Sequence, residues 1–447
     1  MTTAVVVGGG LAGISAALRL ADAGARVTVL EGKPKLGGLT HSFRRGELDV
    51  DNGQHVFMRC CTSYRALLDR LGVTDLTTLQ PRLDVAVVRA RDGARGRLRR
   101  DALPAPLHLA RALGHYAVLS RADRARAVRA ALALRGVDRH DPRTDERSFG
   151  DWLSAHGQTP ATVDALWDLV GIATMNSRSD GASLAVAATV FQIGLLTDAG
   201  AADLGWSRVP LQQLHGDAAE RALAEVGAAV RTHTRVEALR SSGRGWEVCT
   251  PDAITPADVV VVATDPVHME RLLPAGALPL APGWSAHLGA SPIVNLHLLF
   301  DRAVLDEPFV AGVGGPVQWM FDRTSQSGLE SGQYLAVSLS AADDVIDVPV
   351  AELQRSFLPE IQRILPATRA AQLLDFFVTR ERQATFRPSP GSARMRPATT
   401  TSYDGLFVAG AHCATGWPAT MESAVRSGEQ AADAALRRRT NPAVVAA

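Results

Sequence analysis

The sequence predicts an α/β protein: a Rossmann-like dinucleotide-binding domain built from discontinuous segments, joined to an α+β substrate domain. Three observations predict it. A strand, a glycine turn, a helix and a second strand ending on an acid fill the chain up to Glu31. Unbroken apolar strands recur far downstream, at residues 258–264 and 405–410. Between these lie long helical and alternating stretches without a second nucleotide fingerprint.

The first unit is the most specific. A β-branched run over residues 4–7 ends in Gly8-Gly9-Gly10-Leu11-Ala12-Gly13. Gly8 permits the tight turn, Gly10 lets the backbone approach a pyrophosphate, and Gly13 lets helix and strand pack closely. The helix behind them offers unpaired N–H groups and a positive dipole end to phosphates. The second strand, residues 26–31, ends on Glu31, placed to accept hydrogen bonds from ribose hydroxyls. No arginine directly follows Glu31, which disfavours a 2′-phosphate. Gly37 and Gly38 come shortly after.

Beyond this unit, residues 49–57 read as a strand with a polar centre, and residues 64–71 as helix. Residues 90–139 turn arginine-rich and helical, apolar over 103–119 and mixed over 121–135. Helical spacing of Trp152, Leu153, Leu166, Trp167 and Val170 continues through 149–191. Residues 229–236 read as a strand and turn before a hairpin whose second arm is 246–249. Residues 293–300, 317–321 and 334–340 alternate as half-buried antiparallel strands do. A helix is expected over 419–436 and a disordered tail over 438–447. The economical partition gives 1–80, 205–265 and 395–437 to the nucleotide domain, and 81–204 and 266–394 to the substrate domain.

Composition narrows the function. A net charge of +1 with 46% hydrophobic residues gives a globular chain with no overall electrostatic bias towards nucleic acid or membrane. The four cysteines (Cys60, Cys61, Cys249 and Cys413) form no C-x-x-C pair, and the histidines form no H-E-x-x-H, so no metal site is expected. No apolar run approaches the ~18–20 residues that span a bilayer, and no leader precedes the first strand. The expected location is the cytoplasm, either free or peripheral at the inner face of the membrane.

Taken together, the N-terminal fingerprint, Gly37-Gly38, Val236 at the strand–hairpin junction, Val262-Ala263-Thr264 and the C-terminal strand–Gly410–loop–helix resemble the FAD-dependent amine oxidase and phytoene desaturase superfamily. The resemblance spans residue 2 to about 436, implies a GR2-type FAD-binding domain, and selects FAD over NAD. A narrower set is similar to the squalene-associated FAD-dependent desaturases, the hydroxysqualene dehydroxylases. It comprises Leu48-Asp49-Val50-Asp51-Asn52-Gly53-Gln54-His55, Ala201-Ala202-Asp203-Leu204 with Arg208-Val209-Pro210-Leu211, and Thr415-Gly416-Trp417-Pro418-Ala419-Thr420-Met421-Glu422 continuing to Gly428.

By that resemblance, FAD contacts fall to Gly8, Gly10, Leu11, Ala12, Gly13, Glu31, Gly37, Gly38, Leu39, Gln54, His55, Val236, Gly410, Ala411, Thr420 and Met421. The N–H groups at the start of the last helix would meet the flavin pyrimidine edge. One position departs from the family: Ala411 stands where members usually carry an acid that holds a ribityl hydroxyl. Its loss removes on the order of 1–3 kcal/mol of flavin affinity unless replaced.

The implied reaction delivers a hydride to hydroxysqualene as its allylic hydroxyl leaves as water. It needs a dry apolar channel and a proton donor, with electrons supplied by an external donor or flavin reductase. Asp51 and His55 are either polar groups serving the reacting end, or a turn cap and a backbone partner beside the ring. His297, with Asn295, is either on a solvent-facing side of its sheet or on the floor of the substrate cavity near the departing hydroxyl. The Leu103–Arg135 region is either a solvated arginine face or a membrane-docking surface. Two other functions fit the same chain: a carotenoid-type desaturase or amine oxidase, and a non-catalytic isoprenoid-binding relative.

Overall fold

The computed structural model describes residues 1–243 and 245–440. Its nucleotide half is a five-stranded parallel sheet in the order Ala229–Arg231, Arg26–Leu30, Thr3–Val7, Val259–Val262, Leu406–Val408. These strands come from three distant stretches of chain. The register pairs Val5 with Thr28 on one side and with Val260 on the other.

Alternation along these short strands decides what covers each face. Ala4, Val6, Val27 and Val29 face a layer made by the helices Leu11–Asp22 and Met421–Thr440. The two helices approach so closely that a Cβ on Gly428 would lie 2.2 Å from the Ala12 carbonyl oxygen. Val5, Val7, Val260 and Val262 face the opposite way, against Trp246, Met269, Trp284 and Leu288. The helices Pro266–Leu272 and Trp284–Leu288 therefore pack on the parallel sheet, although residues 266–394 are expected in the substrate half. Their apolar side chains roof a sheet face that would otherwise be bare.

The substrate half is a seven-stranded mixed sheet, ordered Leu373–Phe386, Ala290–Phe300, Gln333–Ser340, Trp319–Asp322, Phe309–Val313, Asp84–Arg89, Arg95–Arg99. The helix Val350–Ile364 covers one face, setting Leu353, Phe357 and Ile361 among the cluster containing Val294, Leu296 and Leu298. The opposite face carries Val85, Val87, Phe309 and Ala311 towards a helical layer that includes Leu169.

Four local expectations differ from the structure. Arg95–Arg99 is a strand, not the start of a helix. Its arginines alternate outwards, Arg97 pairing with Asp84 and with Glu307, while Leu98 is buried. The apolar stretch 103–119 breaks into the short turns Leu107–Leu109 and Ala110–Gly114, because prolines at 104 and 106 interrupt it. Residues 49–57 form two strands, Leu48–Asp51 and Val56–Met58, separated by a turn. The last helix runs on to Thr440, with Arg438 paired to Asp404, so 438–440 is not a disordered tail. The rest of that expected tail, 441–447, lies outside the described residues. Among the described residues, no helix is long and apolar enough to cross a membrane.

Candidate active site

A single cavity of about 1260 Å³ opens where four parallel strands end, lined there by Val7, Leu30, Ala263 and Gly410. The carboxyl edge of such a sheet is where a dinucleotide sits. Gly8 turns with φ +107°, and a Cβ there would fall 2.5 Å from the Ala263 carbonyl oxygen. A Cβ on Gly13 would fall 1.9 Å from the Gly8 oxygen, so Gly13 serves helix–strand packing and is not part of the lining. Gly10 and Gly38 meet backbone to backbone, with a Cβ on Gly38 only 2.9 Å from Gly10 Cα. Leu11, Ala12, Gly37 and Leu39 line the same end. The helix Leu11–Asp22 starts at Gly10 without a side-chain cap.

Glu31 is held from both sides. Its Oε2 accepts from Gly9 N at 2.6 Å and its Oε1 from Lys33 N at 2.7 Å. Each oxygen keeps a lone pair for a further donor. Val236 is buried and lines the cavity.

At the far end of the cradle lie Gly410, Ala411, Thr420 and Met421. Any Cβ on Gly410 would strike the His412 ring at 2.3 Å. The loop after Gly410 is fastened by Arg396, which donates to the carbonyls of His412 (3.2 Å), Cys413 (2.5 Å) and Trp417 (2.8 Å). Burial lowers the Arg396 pKa to about 10. Thr420 Oγ1 accepts from Ser423 N at 3.3 Å and so caps the last helix. The Glu422 carboxylate turns away, to Tyr64 N at 2.8 Å and Arg426 Nε at 2.6 Å.

Asn52, Gly53, Gln54 and His55 form the turn between the two short strands, and all four line the cavity. His55 Nδ1 sits 3.1 Å from the Gly53 carbonyl. Burial lowers its pKa, with Arg323 and His41 acting in the same direction against Gly53 and Asp51.

The other two catalytic candidates are not among the lining residues. Asp51 points beneath the turn, where its carboxylate takes Arg323 Nη2 at 2.5 Å, Ser42 Oγ at 2.6 Å and Leu211 N at 2.9 Å. That carboxylate is held by three donors beneath the turn and does not line the cavity. His297 is buried, with Nδ1 2.6 Å from Tyr334 Oη, Nε2 3.0 Å from Thr379 Oγ1, and Phe377 stacked on its ring at 4.5 Å. Its strand does floor the cavity, but through Ile293 and Asn295, one turn of the pleat nearer the nucleotide end. The face holding His297 is therefore not open to solvent.

Asn295, which the sequence sets beside His297 on this face without a role of its own, is the polar side chain of the pair that borders the cavity. It is 1% exposed, and its Oδ1 has no hydrogen-bond partner. Its Nδ2 lies 3.4 Å from both the Asn52 carbonyl and Thr379 Oγ1. Asn295 borders the cavity, but its unpaired Oδ1 is closed to a water-sized molecule, so the amide must turn before it can meet a donor there.

The sequence profile described as flavin containing amine oxidoreductase matches residues 11–436. The chain belongs to that family. It is 28% identical over 444 residues to hydroxysqualene dehydroxylase of Sinorhizobium fredii, covering 96% of this chain and 97% of that protein. It is 25% identical over 477 residues to a probable zeta-carotene desaturase of Synechococcus elongatus, covering 96% and 98%. Among solved structures, cyclohexylamine oxidase from Brevibacterium oxydans superposes with a TM-score of 0.72 at 17% identity, over 98% of this chain and 100% of that one. The protein is thus an FAD-dependent oxidoreductase with the fold of the amine oxidases.

The cradle fits FAD. Glycine backbones approach each other where a pyrophosphate needs closeness, and the Glu31 carboxylate is fixed with acceptor capacity spare. The weak point is Ala411, whose carbonyl accepts from Ser423 Oγ at 3.0 Å and whose side chain has no polar atom to offer. His412 does not take over its role: its Nε2 faces Met269 Sδ at 3.4 Å and its ring stacks with Trp284.

Past the turn, this flavoenzyme's cavity becomes a chamber walled by Val85, Trp167, Leu169, Phe191, Phe309 and Trp319. The 84–89 strand and the aromatic pair Phe309–Trp319, with centroids 6.0 Å apart, were not expected there. The alternation of residues 84–89 was the available signal. Asp203, from the shorter motif, braces this wall by pairing with Arg59 at 2.9 Å and Arg100 at 2.5 Å. Among the described residues, no cluster of His, Cys, Asp or Glu could hold a metal.

Proposed function

We propose that the enzyme reductively dehydroxylates hydroxysqualene to squalene. A hydride replaces the allylic hydroxyl, which takes up a proton and departs as water. Bound FAD supplies the two-electron hydride chemistry, and an external donor or flavin reductase supplies the electrons. The observation that carries this reading is the continuity of one cavity from the glycine cradle into an apolar chamber. The near full-length similarity to hydroxysqualene dehydroxylase supports it.

In this reading the chamber residues hold the polyene and exclude water, which sharpens every polar contact at the reacting end. Glu31, Gly10, Gly38 and Val236 hold the nucleotide, and Gln54, Thr420 and Met421 approach the ring. Asn295 meets the substrate hydroxyl once its amide turns towards the cavity. His55 is the titratable side chain of the 52–55 turn; since burial favours its neutral form, it serves as a relay that takes up a proton from solvent before giving one to the leaving hydroxyl. The similarity to zeta-carotene desaturase supports a second reading, removal of hydride from a polyene.

An anaerobic single-turnover experiment separates them. The FAD-loaded protein is reduced and mixed with hydroxysqualene, flavin absorbance is followed, and products are analysed by mass. Reoxidation with stoichiometric squalene is the expected result. Flavin that stays reduced with hydroxysqualene but is reduced by a carotene substrate reverses the assignment.

A further inference from the structure

Part of the cavity lining reaches the surface as an apolar rim. Leu107 (56% exposed), Leu132 (52%) and Val128 (40%) are open to solvent and yet line the cavity. Leu103, 49% exposed, precedes them in the same stretch of chain. Exposed leucines scattered singly need no explanation, but a cluster at the mouth of an apolar chamber does.

Charge surrounds this rim. The helix Arg121–Arg135 carries five arginines and one aspartate. Its Asp123 is already engaged by Arg126 at 3.0 Å and by Ser120 Oγ at 2.7 Å. Helical spacing puts Arg121, Val128, Leu132 and Arg135 on one face, with steps of seven, four and three residues. Both end arginines are exposed, and among the described residues neither is in an ion pair. A cation thus stands at each end of an apolar stripe that borders the chamber.

We propose that this rim docks on an anionic lipid bilayer, with Leu103, Leu107, Val128 and Leu132 entering the acyl boundary and Arg121 and Arg135 meeting lipid phosphates. The pattern of apolar side chains flanked by arginines is complementary to such a surface. A lipid-soluble molecule could then pass from bilayer to chamber without crossing water. Its purpose rests on the isoprenoid reading, but docking is scored without turnover, so either idea can fail alone.

The test is co-sedimentation of the FAD-loaded protein with phosphatidylcholine vesicles, with and without about one third phosphatidylglycerol. The wild-type chain is expected to pellet with the anionic vesicles and to be released by high salt. The double variant Arg121→Glu/Arg135→Glu should lose on the order of tenfold or more in partitioning, and Leu103→Ser should weaken it, both with an unchanged thermal melt. A wild-type chain that stays in solution with both vesicles, that pellets equally with both, or whose binding survives the double charge reversal overturns the proposal.

Discussion

Asp51 and Arg323 form a buried ion pair at 2.5 Å that joins the Leu48–Asp51 strand to the end of the Trp319–Asp322 strand. The pair sits under the turn that carries His55, so it fixes the turn's position and does not face the substrate. Removing one member of a buried pair strands the other charge and costs about 3–5 kcal/mol. Asp51→Asn is therefore expected to lower the denaturation midpoint sharply while the surviving folded protein still binds FAD. A variant of wild-type stability that binds FAD but has lost turnover would return Asp51 to the chemistry.

Glu31 governs the nucleotide. Its two oxygens are oriented by Gly9 and Lys33, and each remaining lone pair meets a ribose hydroxyl at about 1.5–3 kcal/mol. Glu31→Gln is expected to weaken FAD binding by roughly tenfold to a hundredfold, read by titrating apoprotein with FAD and following flavin fluorescence. Unchanged affinity would mean that the adenosine lies elsewhere.

Ala411 gives the opposite sign. Ala411→Asp restores a carboxylate facing the cavity and is expected to tighten FAD binding by on the order of tenfold, about 1.4 kcal/mol. The same titration measures it. Weaker binding in this variant would show that the alanine answers to space and not to a missing acceptor.

The nucleotide end was legible in the sequence because its determinants are local. Gly8, Gly10, Gly13, Glu31 and Gly38 lie within a few tens of residues of one another; a Cβ would collide at Gly8, Gly13 and Gly38, while Gly10 supplies the close backbone that Gly38 meets. The reacting end was not legible for the converse reason. Asp51 and His55 look alike as polar residues of one motif, yet Arg323, 272 residues away, takes one of them out of the cavity. Tyr334, Thr379 and Phe377 do the same to His297, whose strand neighbour Asn295 is left to face the cavity. The arginines of 95–99 masked a period of two because a paired arginine on a sheet edge resembles one on a helix.

His297 makes acid stability measurable. Burial, with a smaller contribution from Arg45, lowers its pKa to about 3 in the folded protein, against about 6.5 when unfolded. Between those values the unfolded chain binds more protons, so stability rises with pH and is lost as pH falls from 6.5 towards 3. Going from pH 7 to pH 5, this one group accounts for about 2 kcal/mol. His297→Gln does not titrate, so its loss over the same interval should be smaller by that amount in denaturant melts. Equal losses in both proteins would mean that His297 is not held neutral by its surroundings.

Asn295 tests the substrate assignment most directly. Leaving a buried amide oxygen without a donor costs about 1–3 kcal/mol, so the free enzyme is under-satisfied at this wall. In the proposed function the amide turns to an incoming hydroxyl, which donates to it and recovers that cost only when substrate is bound. Asn295→Leu removes the orphan oxygen while keeping similar bulk, so the folded protein should be at least as stable and should still bind FAD. Its kcat/KM for hydroxysqualene should fall by about tenfold or more, because the interaction lost is one made with substrate. A polyene lacking the hydroxyl should bind the variant and the wild type equally well. Binding of that polyene weakened as much as turnover of hydroxysqualene would show that Asn295 shapes the chamber and does not read the hydroxyl.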